Sequence, residues 1–136
     1  MRKFVEYDIP FGLGTDIAGG PTLSMFRVME QTIYTQLMFR RYTWGAGPFY
    51  DMNSEAALYL ATLGGATALG MQEEIGSLEV GKKADFLLLD MEQITTYNLR
   101  AGFDPMDKAS LVQRIVFQGK ESAISEVYVD GIKISK

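Results

Sequence analysis

Apolar residues recur at three- and four-residue steps in the stretch that follows residue 22. The positions of this apolar face are Leu23, Phe26, Met29, Ile33 and Leu37. Such spacing predicts a helix that buries one face. Thr22 is the expected N-cap, and the pattern continues to about Tyr42. The first half of the chain is therefore predicted to be dominated by a long amphipathic helix.

A second helical pattern is expected to start after Asn53 or Ser54, either of which can cap it. The glycine pair at 64–65 should bend or interrupt this helix, and close helix packing explains the pair more simply than a binding turn does. Gly70 is placed to adopt the left-handed conformation that closes a helix. These signals predict a helix, an interruption and one further turn.

An apolar run at residues 9–13, near the beginning of the chain, predicts a short buried strand with Pro10 near its start. This run leads directly into a loop rich in glycine that contains Asp16. A single buried strand needs neighbouring strands to bond its backbone. The sequence therefore reads as if the partners of this strand lie outside the chain.

The last third of the chain changes to short segments separated by turns. Residues 84–89 form an almost continuous apolar run, which predicts a strand. Asp107 can cap a short helix that Gly119 would end. The pair Asp130-Gly131 between two apolar runs is a strong signal for a two-residue hairpin. A region rich in β-structure is expected here.

Composition excludes several classes of protein. The chain has 136 residues, 47% of them hydrophobic, and a net charge of -4 without a cluster of Lys and Arg, so neither a nucleic acid polymer nor a membrane is an expected partner. It contains no cysteine, which excludes disulfides and thiolate ligands. It also contains no histidine, which excludes a catalytic triad and any histidine-based metal site within this chain.

Asp16 is the strongest candidate for chemistry, because a carboxylate just after a buried strand is held firmly while it stays open to a ligand. An aspartate that only caps a turn would give the same local pattern. The surrounding glycines lack the Lys-Ser/Thr ending and the spacing of a nucleotide-binding loop. Trp44, Phe49 and Tyr50 could line a pocket for a flat heterocycle, although packing over a core edge is the more common role of such residues.

Three segments, considered together and in this order, resemble the amidohydrolase superfamily. They are GLGTDIAGGPTLSM at 12–25, ATLGGATALGMQEEIGSLEVGKKADFLLLD at 61–90 and VYVDG at 127–131. Within the superfamily they look most like the C-terminal part of the guanine deaminases, followed by other aminohydrolases and chlorohydrolases of ring compounds. The resemblance covers nearly the whole chain.

The resemblance implies an α/β fold, in which this chain is the C-terminal fragment of a metal-dependent (β/α)8 hydrolase barrel plus part of a small flanking β domain. Residues 1–72 would supply the last strand, the Asp16 loop and helices, and residues 73–136 would supply part of the β domain. By match to the family motif, Asp16 is both a contact of the metal and the group that moves the proton. The implied metal is zinc, with iron as a second possibility.

The implied reaction of the intact enzyme is hydrolytic deamination of guanine to xanthine and ammonia; adenosine- or triazine-like rings are the alternative substrates. The family's metal-binding histidines fall outside this chain, so the chain alone is expected to be inactive and to need the missing barrel half in cis or in trans. A truncated fragment without catalytic function is the competing interpretation. A homodimer of the intact enzyme and a cytoplasmic location are further expectations.

Overall fold

Six α-helices and three β-strands are present in the part of the chain described by the computed structural model, which comprises residues 1–16, 19–43, 51–94 and 107–135. The helices are α1 (Arg2–Glu6), α2 (Met25–Tyr42), α3 (Ser54–Ala61), α4 (Leu63–Ala68), α5 (Met91–Ile94) and α6 (Lys108–Gln118). The strands are β1 (Phe86–Leu89), β2 (Ile124–Val129) and β3 (Ile132–Ser135), and a 3-10 turn (Glu121–Ala123) precedes β2. Within these ranges, none of the helices has the length and apolar character needed to cross a bilayer.

Helix α2 confirms the long amphipathic helix, but its N-cap is Ser24 and not Thr22. The Ser24 hydroxyl accepts a hydrogen bond from the Arg27 amide at 3.4 Å. The Thr22 hydroxyl instead accepts from the Ser24 amide at 3.0 Å, so it stabilises the turn before the helix. The buried face is narrower than predicted: its middle positions are buried, whereas Leu23 and Leu37 are 79% and 54% exposed.

The predicted second helix begins where expected, because the Asn53 side chain accepts from the Ala56 amide at 2.8 Å. The interruption, however, lies at Thr62 (φ -128°, ψ -102°) and not at the glycine pair, which is inside α4. A helix tolerates glycine at a cost of about 1 kcal/mol, so glycine alone does not fix where a break falls. Gly70 has φ 71° and closes the segment in the left-handed conformation, as predicted.

The predicted strand at residues 9–13 is not formed, since residues 9–16 lie outside any helix or strand. Ile9 is 48% exposed, while Phe11 and Leu13 pack on the core at intermediate exposure. A strand requires a neighbouring strand to bond its backbone, and the described sheet is formed by β1, β2 and β3 alone. The Leu13 amide instead donates to the Leu60 carbonyl at the end of α3, at 2.9 Å.

The three strands form one antiparallel sheet in the order β1-β2-β3. The predicted hairpin joins β2 to β3, and Asp130 and Gly131 both have positive φ (51° and 75°), as a two-residue turn of this hand requires. The turn is fixed to the start of β1: the Asp130 amide donates to the Asp85 carboxylate at 2.7 Å, and the Gly131 amide donates to the Ala84 carbonyl at 3.0 Å.

The main core lies between α2, α3 and α6. Its buried members are Phe26, Met29, Ile33, Met52, Ala57, Leu60 and Val116. Val116 belongs to α6, so a helix from the last third of the chain completes the core of the first half. The division into segments 1–72 and 73–136 stays a prediction.

The predicted N-cap of α6 offers a test by pH. The Asp107 carboxylate accepts from the Ser110 amide at 3.0 Å, and this bond, with further hydrogen bonds from the Ser110 side chain and the Ala109 amide, lowers the pKa of Asp107. A lowered pKa means that the cap stabilises the fold above the unfolded-state pKa of about 4 and that this stability is lost as the pH falls through the folded-state value.

Asp107→Asn keeps a capping oxygen but does not titrate. We therefore expect the Tm of this variant to fall less than that of the native chain between about pH 5 and about pH 3. Thermal unfolding followed by circular dichroism measures how the Tm of each protein changes with pH. The same change in both proteins would show that ionisation of Asp107 contributes nothing to folding.

Candidate active site

Asp16 lies between the opening segment and α2. Its backbone is left-handed (φ 53°), and the residue is exposed. The Gly20 amide donates to the Asp16 carbonyl at 2.9 Å and closes the loop. A Cβ atom on Gly19 would lie 2.5 Å from the Asp16 Oδ2 atom, so a larger residue at position 19 would make the carboxylate move aside. Asp16 is thus an exposed residue whose backbone carbonyl is bonded to the Gly20 amide.

The segment before Asp16 is bound to the junction of α3 and α4. In addition to the hydrogen bond from Leu13 to Leu60, the backbones of Gly12 and Gly65 touch: a Cβ atom on Gly12 would lie 2.5 Å from the Gly65 Cα atom. This contact was not predicted from the sequence. Its only sequence signal is glycine at both positions, and nothing in the local pattern pairs residue 12 with residue 65.

The glycine pair confirms the expectation of close packing. Gly64 is buried, and a Cβ atom there would lie 3.0 Å from the Tyr59 ring and 3.2 Å from the Leu60 side chain. Gly65 provides the flat backbone surface that Gly12 contacts. Gly64 therefore allows α4 to pack closely on the end of α3, whereas a Cβ atom on Gly65 would meet only the Leu60 carbonyl oxygen at 3.5 Å, so space at Gly65 itself is not restricted.

The metal expected at Asp16 lacks most of its ligands here. In the ranges that the structure describes, no group of three or more His, Cys, Asp or Glu side chains could hold a metal ion. Zinc sites use at least three protein ligands, and histidine is absent from the whole sequence. Asp16 offers one oxygen donor that suits zinc, but the residues of this chain do not form a complete zinc site.

The described residues also provide little evidence for a substrate pocket beside Asp16. The aromatic candidates Trp44, Phe49 and Tyr50 lie outside the described residues. An apolar cavity of about 260 Å³ lies between α1, residues 8–11, the end of α3 and α4, and its lining does not include Asp16. The role of Asp16 in chemistry therefore stays a prediction.

Comparison with known proteins assigns the chain to a family. The model of the Amidohydrolase family matches residues 1–133. The chain belongs to the amidohydrolase family. Among curated relatives, guanine deaminase of Escherichia coli (strain K12) is 31% identical over 134 residues, which cover 96% of this chain and 28% of the relative. This family assignment confirms the resemblance seen in the three sequence segments.

A second curated relative has a different substrate in its name. The 5-methylthioadenosine/S-adenosylhomocysteine deaminase of Moorella thermoacetica is 43% identical over 123 residues, which cover 88% of this chain and 28% of the relative. The aligned stretch is shorter than for the guanine deaminases, but the identity is higher. Deaminases of two different purine substrates are therefore similar to this chain.

The fold of this chain is similar to part of the fold of solved deaminase structures. Guanine deaminase from C. acetobutylicum with bound guanine matches with a TM-score of 0.77 and 25% identity, over 98% of this chain and 29% of that one. An adenosine deaminase from Xanthomonas campestris with bound zinc matches with a TM-score of 0.67 and 23% identity, over 95% of this chain and 26% of that one. The chain has the fold of a part of these enzymes and spans less than a third of their length.

Proposed function

We propose that this chain is the C-terminal, Asp16-bearing part of a hydrolase that deaminates guanine to xanthine and ammonia. The observation that carries the proposal is the exposed Asp16 carboxylate on a loop that is fixed to the α3–α4 junction. It is supported by the match of 98% of the chain to a guanine deaminase that holds guanine. The barrel architecture, the two-segment division, the homodimer and the cytoplasmic location remain predictions of the same proposal.

In the proposed reaction a water molecule adds to the ring carbon that carries the amino group. A C–O bond forms, the C–N bond breaks, and the Asp16 carboxylate takes a proton from the water and passes it to the departing amine, which leaves as ammonia. A bound zinc or iron ion would make the water more acidic in such a site. Because the described residues contain no group of three or more possible ligands, a metal held by Asp16 would need further ligands from other residues of a complete enzyme.

An adenosine-like substrate is the second candidate, because the relative from Moorella thermoacetica has the higher identity. Both candidates assign the same proton transfer to Asp16. They differ in the ring and in what is attached to it, which the groups around a substrate pocket must distinguish. Guanine and 5′-methylthioadenosine are therefore the two substrates to compare.

The decisive experiment combines this chain with the part of Escherichia coli guanine deaminase that precedes the stretch similar to this chain. We call this mixture the complemented enzyme. Ammonia release from each of the two substrates and zinc content are measured for the mixture and for each polypeptide alone. We expect zinc binding and ammonia release in the mixture, with guanine as the better substrate, and neither signal from this chain by itself.

A co-purifying, zinc-containing mixture that releases ammonia from neither substrate would contradict the proposed function. Faster turnover of 5′-methylthioadenosine would favour the adenosine-like reading. If this chain associates with itself and does not bind the added polypeptide, the interpretation as a fragment without catalytic function is favoured.

A further inference from the structure

The break between α3 and α4 meets the segment before Asp16 through two separate backbone contacts. We propose that Gly12 and Thr62 are positioning residues for Asp16: they fix the loop to this break and thereby set the place of the carboxylate. The inference rests on the proposed function, since Asp16 must be the group that moves the proton. Neither residue touches substrate in this proposal.

Thr62 makes one helix carbonyl available for the loop. The last four carbonyls of a helix lack partners within it. The Thr62 hydroxyl donates to the Leu58 carbonyl at 2.7 Å and approaches the Tyr59 carbonyl at 3.3 Å, which also accepts from the Thr62 amide at 3.1 Å. The carbonyls of Leu58 and Tyr59 are thus occupied by Thr62 itself. The Leu60 carbonyl points to the loop and accepts from the Leu13 amide at 2.9 Å.

Gly12 provides the second contact, where two backbones approach without side chains between them. A Cβ atom on Gly12 would lie 2.5 Å from the Gly65 Cα atom, 3.0 Å from its nitrogen and 3.1 Å from the Leu60 carbonyl oxygen. All three atoms belong to backbone, which cannot move aside as the end of a flexible side chain can. Any side chain at position 12 must therefore displace the loop or the helix.

These contacts control Asp16 because little chain separates them from it. Asp16 is three residues beyond Leu13, and three extended residues span at most about 10 Å. On its other side the loop is closed by the bond from the Gly20 amide to the Asp16 carbonyl. A shift at Gly12 therefore moves the carboxylate. Catalytic geometry is sensitive to such shifts, since an error of about 1 Å can cost on the order of 100-fold in rate.

The test is Gly12→Ala in the complemented enzyme. We expect kcat to fall on the order of 100-fold, with KM for guanine changed less than about threefold, because the substrate contacts are intact while the proton carrier is displaced. The matched control is Gly65→Ala, which adds the same methyl group 3.5 Å from the Leu60 carbonyl oxygen, an ordinary contact distance. This control should retain the native kcat.

The effect of Gly12→Ala on the loop can also be measured in this chain alone, by amide hydrogen exchange. Gly12→Ala should speed the exchange of the Leu13 amide at least about tenfold, because its bond to Leu60 is lost. Gly14→Ala is the control in the same segment, since a Cβ atom there has no neighbour within 4 Å. This measurement needs neither metal nor substrate.

Thr62→Val keeps the shape of the side chain but removes its hydrogen bonds, and Thr62→Ser restores them. We expect Thr62→Val to lower kcat about three- to tenfold, with recovery in Thr62→Ser. These two variants test the positioning role if Gly12→Ala does not fold.

The positioning role is overturned if the native complemented enzyme is active and the folded Gly12→Ala and Thr62→Val variants have the same kcat as the native mixture. A co-purifying, zinc-containing native mixture that shows no turnover, although its Leu13 amide is protected, would instead refute the proposed function and the positioning role with it.

Discussion

Asp16→Asn should greatly slow deamination by the complemented enzyme. Asparagine retains the size of the side chain and tolerates the left-handed backbone at this position (φ 53°), so the loop should keep its shape. An amide cannot take the proton of the attacking water. Positioned acid–base groups contribute roughly 100- to 10,000-fold to a rate, so we expect kcat to fall by about three orders of magnitude. Ammonia release is measured with an excess of the variant enzyme, so that a small residual rate can still be detected.

Asp8→Asn is the matched control for this prediction. Asp8 is also exposed, also has a left-handed backbone (φ 51°) and lies in the same opening segment, but it lines the apolar cavity and not the Asp16 loop. The substitution removes the same charge from the same region. We expect native turnover from Asp8→Asn. Equal turnover in both variants would remove Asp16 from the chemistry while leaving the family assignment intact.

The features that the sequence predicted correctly are those decided within a few residues. The hairpin at Asp130-Gly131 needs two consecutive residues with positive φ, and this dipeptide favours that conformation without help from the rest of the chain. The caps at Asn53 and Asp107 each satisfy an amide three residues later. The left-handed Gly70 ends its helix for an equally local reason.

Two predictions failed for different reasons: one depends on a contact distant in sequence, and the other on a choice among neighbouring positions. Residues 9–13 have the apolar character of a buried strand, but a strand forms only when another strand bonds to it, and here the Leu13 amide bonds to a helix carbonyl. The helix breaks at Thr62, whose hydroxyl can satisfy two carbonyls of the preceding turn, and not at the more flexible glycines. Propensity ranks positions for a break but does not choose among them.

Asp16 illustrates both kinds of evidence. Its placement after an apolar run in a glycine-rich loop singled it out as a candidate, and the family motif gave it a role. The junction that holds its loop could not be predicted, because nothing in the sequence connects residues 12 and 13 to residues 60–65. Only the structure shows that the motif with the glycine pair provides the backbone surface that the loop contacts.

Gly76→Ala should destabilise the chain more than any other single methyl addition proposed above. Gly76 has φ 94°, a conformation that costs an L-residue about 1–2 kcal/mol. A Cβ atom there would also lie 2.7 Å from the Ala66 Cβ atom and 2.9 Å from the Leu63 Cα atom, both in α4. Overpacking of this kind costs a further 1–3 kcal/mol or so. The free energy of unfolding in urea should therefore fall by about 2–5 kcal/mol.

Gly81→Ala separates the two costs. Gly81 has almost the same backbone angle (φ 98°), but a Cβ atom there has no neighbour within 4 Å. This variant should lose about 1–2 kcal/mol, which is the backbone cost alone. The difference between the two variants then measures how tightly the loop at Gly76 packs on α4, the helix that also contacts Gly12. Equal losses would mean that α4 yields to the added methyl group, and so could not hold the Asp16 loop firmly in place.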